Sequence, residues 1–194
     1  SSATLTSTFS GGFLKGDEHY HKHLLNLDWY TPTVWKFVLT SSLKIGTIKM
    51  LKVNNRSYTY IPPYERFIMG GNGIPYGAML RGYPDNSIGP LTTQGRGSGG
   101  NTMIKYTTEF RFPFSENPVV YAMLFAEAGN VWQDTRLMSM LQYERTNPLD
   151  LKRSAGVGIR FFMPMIGKLG FDVGYGFDDI TGNGEPQGLS LIHI

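Results

Sequence analysis

The sequence predicts an all-β protein, the wall of an antiparallel transmembrane β-barrel with about seven strands. Three observations carry this. Segments along the chain alternate apolar and polar residues with a period of two. Several put Lys, Arg or Glu on the polar face, which suits a wet lumen better than a dry core. The connections between them are sorted into short breaks and long loops, as in outer-membrane-type barrels.

Composition fits that class. The 194 residues include 24 Gly, with 13% aromatic and 17% charged residues, a mix for a sheet with many turns and an apolar outer surface. No cysteine is present, so disulfides and thiolate metal sites are excluded. A net charge of +3 without a basic cluster does not point to nucleic acid. No segment reaches the length of a transmembrane helix; the most apolar run, Val119 to Ala126, falls well short. The chain opens on Ser1-Ser2-Ala3, without a basic start or apolar core, and reads as a mature protein or a fragment.

Taken in order, residues 3 to 13 place Leu5, Phe9 and Phe13 opposite Thr4, Thr6, Thr8 and Ser10. Leu14 to Asp17 is a turn. Residues 19 to 31 place Leu25, Leu27 and Trp29 opposite Asn26 and Asp28. After a break at Thr31-Pro32-Thr33, residues 34 to 46 oppose Trp35, Phe37, Leu39, Leu43 and Ile45 to Lys36, Thr40, Ser42 and Lys44. A polar, Gly-rich connection from 49 to 102 follows, far longer than a loop of a compact domain.

Residues 103 to 112 give the clearest strand. Ile104, Tyr106, Phe110 and Phe112 oppose Lys105, Thr107, Glu109 and Arg111. Past a break from Pro113 to Pro118, residues 119 to 132 turn Val120, Ala122, Leu124, Ala126 and Ala128 outward, with Glu127 opposite. Residues 133 to 153 loop out. Residues 155 to 163 set Val157, Ile159, Phe161 and Met163 against Gly156, Gly158 and Arg160. Pro164 to Gly167 turns, and residues 169 to 177 set Leu169, Phe171, Val173, Tyr175 and Phe177 against Gly170, Asp172, Gly174 and Gly176. Residues 178 to 188 form another polar loop.

By faces alone, a soluble sandwich with its charges in water stays open. It has no reason to sort its loops by length. Trp29, Tyr30, Trp35, Phe112, Phe114 and Trp132 fall at strand ends and suit aromatic girdles or ordinary cross-strand pairs.

Within the long connection, Met79-Leu80-Arg81-Gly82-Tyr83-Pro84 stands out. Arg81 reads as a cation held inside the barrel, with Glu109 and Glu127, on the lumen parity of neighbouring strands, as counter-charges. A planar, permanently charged guanidinium can take two carboxylates at once. The plainer reading, a surface arginine and two solvated glutamates, is open on the residues alone. His19, His21 and His23 alternate and could suggest a metal, but exposed polar residues at a strand end are the simpler account. No serine elbow occurs, and Gly95 to Gly100 does not join a strand to a helix, as a phosphate loop would. No catalytic residue, metal site or cofactor is expected.

Leu80-Arg81-Gly82-Tyr83, with Gly70-Gly71 before it and Gly99-Gly100-Asn101 after it, resembles the BamA family, whose Val-Arg-Gly-Phe/Tyr motif lies on a loop folded back into the lumen. Ser87-Ile88-Gly89-Pro90, Glu109-Phe110-Arg111-Phe112-Pro113, Phe125 to Trp132 and Arg153 to Gly158 match in family order. The resemblance covers nearly the whole chain.

It implies residues 1–194 as the C-terminal half, about seven to eight strands, of a sixteen-stranded outer-membrane barrel preceded by POTRA repeats. It also implies residues 49–102 as the lumen-returning loop, and Arg81 anchored by Glu109 and Glu127. The implied activity is folding and inserting other barrel proteins into the bacterial outer membrane, without catalysis. A seam opens and a client strand pairs with the exposed edge. The implied partners are unfolded outer-membrane proteins, assembly-complex lipoproteins and outer-membrane lipid, with no nucleic acid. Related barrels serve polypeptide secretion, autotransporter assembly or a fused patatin-like phospholipase. Residues 189–194, Leu-Ser-Leu-Ile-His-Ile, depart from the family's terminal aromatic strand. They read as translated adapter sequence, although their period of two is compatible with a strand.

Overall fold

The computed structural model describes residues 1–12, 18–51, 61–73, 77–90, 98–116, 119–133, 150–163, 167–180, 182 and 184–193. They form one antiparallel sheet of eight strands in sequence order, β1 to β8. The strands are β1 (Ser2–Ser10), β2 (Tyr20–Pro32), β3 (Val38–Met50), β4 (Thr102–Glu116), β5 (Val119–Trp132), β6 (Lys152–Met163), β7 (Gly167–Gly176) and β8 (Gly188–His193). Each pairs with its neighbours in sequence, and β1 and β8 are the two edges.

The alternation in each strand fixes its two faces, because successive side chains point to opposite sides of a sheet. One face is bare and apolar. Leu5, Phe9, Leu124, Val157, Phe171, Leu189 and Leu191 are each at least half exposed there. A sandwich would cover that face with a second sheet; none does so among the described residues. No described helix is long and apolar enough to cross a membrane.

The other face carries the long connection between β3 and β4. Its described parts bring apolar residues that a reading of the loop as polar overlooks. Ile61, Phe67, Met69, Leu80, Tyr83 and Ile88 are buried in one cluster with Tyr20, Ile48, Met103 and Val131 from the sheet. The core of this chain is therefore a loop packed onto a wall. Gly46 on β3 makes room for it, since a Cβ there would lie 2.5 Å from the Phe67 ring. Backbone bridges Phe67–Gly100, Met69–Ile88 and Gly71–Leu80 hold the loop in shape. Lys22 ties it to β2, donating to the Glu65 carbonyl at 2.8 Å and its carboxylate at 3.1 Å.

Several expected boundaries are corrected. Trp35 does not lie in a strand: its φ is +65°, and β3 starts only at Val38. The strand expected to stop at 112 runs on to Glu116, with a register shift between Pro113 and Ser115. A bulge is where a strand tolerates a residue without an N–H. Of the girdle candidates, Tyr30 lies on the loop-covered face, beside a polar cavity, and Trp132 is buried. Phe37, Phe110 and Phe112 instead cluster by the β2–β3 turn, with ring centroids 4.7 to 5.7 Å apart. The turn expected at 14–17, most of 133–153 and residues 164–166 lie outside the described residues. Gly188–His193 pairs with β7 from Gly176 to Phe171.

Candidate functional site

Register brings the site together. Across the inner face, Glu109, Phe125, Gly156 and Gly174 form one row over β4 to β7. The next row is Thr107, Glu127, Ser154 and Gly176. Glu109 and Glu127 stand on the β4–β5 side, and three glycines with the small Ser154 stand on the β6–β7 side. The result is a trough with carboxylates at one end and little side-chain bulk at the other.

The loop backbone drops into this trough. Gly82 has φ +88°, a region that L side chains rarely adopt. A Cβ on it would lie 2.9 Å from the Gly176 amide nitrogen and 3.0 Å from the Ser154 Cβ. A Cβ on Gly174 would in turn meet the Gly82 nitrogen at 2.8 Å. Only glycine against glycine permits this approach.

Arg81 is then carried onto the acids. It is 2% exposed. Its Nη2 donates to Glu109 at 2.8 Å and to Glu127 at 2.9 Å, and its backbone N–H donates to the other Glu127 oxygen at 2.7 Å. Its guanidinium carbon lies 3.7 Å from the centroid of the Phe125 ring, a stacked cation–π geometry. Burial works against the charge, but Glu127, Glu109 and Asp172 more than offset it and raise the pKa of Arg81 above its ordinary value.

Tyr83 completes the seat. Its buried hydroxyl donates to the Arg153 carbonyl at 2.6 Å and to Asp178 at 3.2 Å. Burial pushes its phenol well above the ordinary tyrosine value. Partial burial also pushes Asp178 up, but the Arg153 side chain and backbone N–H hold it below the ordinary aspartate value. Leu80 is fully buried in the loop–wall cluster.

The structure thus brings Leu80, Arg81, Gly82, Tyr83, Glu109 and Glu127 to one place. It adds four residues that the sequence reading did not single out. Asp172 accepts from Arg81 Nη1 at 3.3 Å and from both Arg160 terminal nitrogens at 2.5 and 2.6 Å. Lys105 pairs with Glu127 at 3.0 Å. Phe125 is the platform. The available signal was parity: Lys105, Phe125, Arg160 and Asp172 all share the inward face with the two glutamates. Including Arg111, which pairs with Glu109 at 2.8 Å, four cations meet three carboxylates (Arg81, Lys105, Arg111 and Arg160 against Glu109, Glu127 and Asp172). Near balance with shared hydrogen bonds is what a buried ionic cluster requires. The site opens onto a polar cavity of about 400 Å³ on the same face, which reaches Asn26, Asp28, Thr40 and Lys44.

The three histidines do not converge on one point: His21 and His23 meet, and His19 stands apart. His21 Nδ1 lies 2.9 Å from His23 Nε2 on the outward parity of β2, while His19 Nδ1 accepts from the Gly12 amide. No group of three His, Cys, Asp or Glu suited to a metal occurs among the described residues. Gly95 to Gly97 lie outside those residues.

The Omp85 superfamily domain matches residues 1–191. Among solved structures, BamA from Haemophilus ducreyi lacking POTRA domains 1–3 is similar, with a TM-score of 0.68 at 22% identity over 92% of this chain. The chain spans 35% of that structure's chain. No curated protein matches it.

Proposed function

We propose, since this chain belongs to the Omp85 superfamily, that its parent is an outer-membrane assembly factor that folds and inserts other β-barrel proteins into the bacterial outer membrane. This chain supplies the C-terminal part of the barrel wall and the loop anchored in its lumen.

The observation that carries this reading is the seating of Arg81. A loop residue is buried among carboxylates on three strands, Glu109 on β4, Glu127 on β5 and Asp172 on β7. A passive pore has no need to spend a buried ionic cluster on returning a loop to its wall. An assembly barrel does, because its wall must keep its shape while its edges are open to another strand.

No catalytic group is involved. The energy of insertion comes from the client. Each client strand gains main-chain hydrogen bonds at an unpaired edge and places its own apolar face in lipid. The bare outer face supports an outer-membrane location. The partners under this reading are unfolded outer-membrane proteins, assembly lipoproteins and outer-membrane lipid.

The test uses the full-length parent in lipid vesicles with a urea-unfolded outer-membrane barrel as client. Folding is read by the shift in gel mobility between heated and unheated samples. Faster folding than in protein-free vesicles, lost in Arg81→Glu, is expected. Equal rates with and without the parent would overturn the reading.

A further inference from the structure

Asp172 and Arg160 belong to no part of the motif, yet they form the most buried ion pair in the described chain apart from Arg81's own. Asp172 is fully buried and Arg160 is 4% exposed. Arg160 holds both carboxylate oxygens through a two-pronged contact, and its Nη1 also donates to the Ile159 carbonyl at 3.1 Å. The backbone is built around the pair. A Cβ on Gly170 would lie 2.7 Å from Arg160 Cδ and Nη1, and one on Gly158 would collide with the Asp172 carboxylate.

A cross-strand brace would need no more than this. The Asp172 carboxylate does one thing more: the oxygen that takes Arg160 Nη2 at 2.6 Å also faces Arg81 Nη1 at 3.3 Å. Glu109 and Glu127 hold Nη2, so Asp172 is the partner of the opposite nitrogen. Without it, Nη1 would lose its carboxylate and the guanidinium would be free to turn over Phe125.

We infer that Asp172, fixed by Arg160, is a third anchor that positions Arg81 and couples the seated loop to strands β6 and β7. The inference rests on the reading of Arg81 as the loop's anchor and deepens it. Arg160 acts through Asp172 and is itself a positioning residue. The loop then spans the wall from β4 to β7, with Arg81 bonded to β4, β5 and β7 and Gly82 lying on the glycines of β7.

The test reads loop seating directly. Ile88, a residue of the loop, is 2% exposed where the seated loop packs on the wall, and the chain has no cysteine of its own. In the folded full-length parent, Ile88→Cys is a maleimide-labelling reporter, with heat-modifiable gel mobility as the control for folding. Labelling at least about tenfold faster in Asp172→Asn is expected. The exchange Arg160→Asp with Asp172→Arg keeps a cross-strand ion pair but sets a cation against Arg81, and it is expected to label as fast.

Wild-type labelling in the exchanged protein would overturn the inference, because the pair would then be only a brace. Wild-type labelling in Asp172→Asn would overturn it too, and decides the matter alone if the exchange does not fold. Fast labelling with client insertion intact would uphold the anchor while counting against the assembly reading.

Discussion

Gly82 and Gly176 face each other with no side chain between them: a Cβ on Gly82 would sit 2.9 Å from the Gly176 nitrogen. Gly82→Ala meets both that contact and an unfavourable φ of +88°. It is expected to cost roughly 1–3 kcal/mol and to unseat the loop. The check is the temperature at which the unheated gel mobility of the full-length parent is lost.

Arg81 is buried deeply enough for its removal to leave carboxylates stranded. Arg81→Ala is expected to destabilise the seated loop by about 3–5 kcal/mol, and Arg81→Glu to disable the parent. Glu109→Arg in the Arg81→Glu background is expected to restore part of its activity by reversing the pair. Complementation of parent depletion, with levels of client barrels, measures this. Full growth of Arg81→Ala with normal client levels would make the cluster dispensable.

The two glutamates are not equivalent. Glu127 holds the Arg81 guanidinium and backbone N–H, Lys105 and Thr107, and is 3% exposed. Glu109 has Arg111 as a second partner, and its side chain is 14% exposed. Glu127→Gln is therefore expected to be clearly more damaging than Glu109→Gln. Thermal stability of the two variants side by side tests the order, and the reverse order would contradict the geometry.

Phe125 supports the guanidinium from below at 3.7 Å. Phe125→Leu keeps an apolar side chain but removes the ring face. A loss of about 2 kcal/mol is expected for a desolvated cation–π contact, and it should vanish in an Arg81→Met background. A double-mutant cycle on loop seating measures the coupling.

Asp178 gives the seat a pH dependence of defined sign. Its folded pKa lies below the ordinary aspartate value, through its bonds to Arg153 and Tyr83. Its stabilising contribution is complete above the ordinary value and is lost as pH falls through the lower folded one. The stability gap between wild type and Asp178→Asn is expected to be constant near neutrality and to close on acidification. A gap that persisted unchanged in acid would show that the carboxylate's charge is not what holds Tyr83.

How much of this was legible in the sequence follows from what period two can say. Parity alone placed Glu109, Glu127, Lys105, Arg160 and Asp172 on one face, because neighbouring side chains in a strand must alternate. It could not say at what height each stands. Height is set by register, and the register of β5 to β7 puts Glu127 opposite Ser154, and Ser154 opposite Gly176. Asp172 follows Arg81 by 91 residues, so nothing local announces their contact.

The same limit hid the core. Ile61, Phe67, Met69 and Ile88 are scattered through a connection with no period, and only their packing on the wall joins them. Trp35 matched the alternation and still left the strand, because a turn with positive φ has no sequence period to betray it. The sequence by itself determined seven of the eight strands, to within a few residues at their ends, and their two faces, and it offered Arg81, Glu109 and Glu127 as candidates. The tertiary structure decided which charges share one site and which glycines make room for it, because those depend on strands far apart in the chain being stacked at one level.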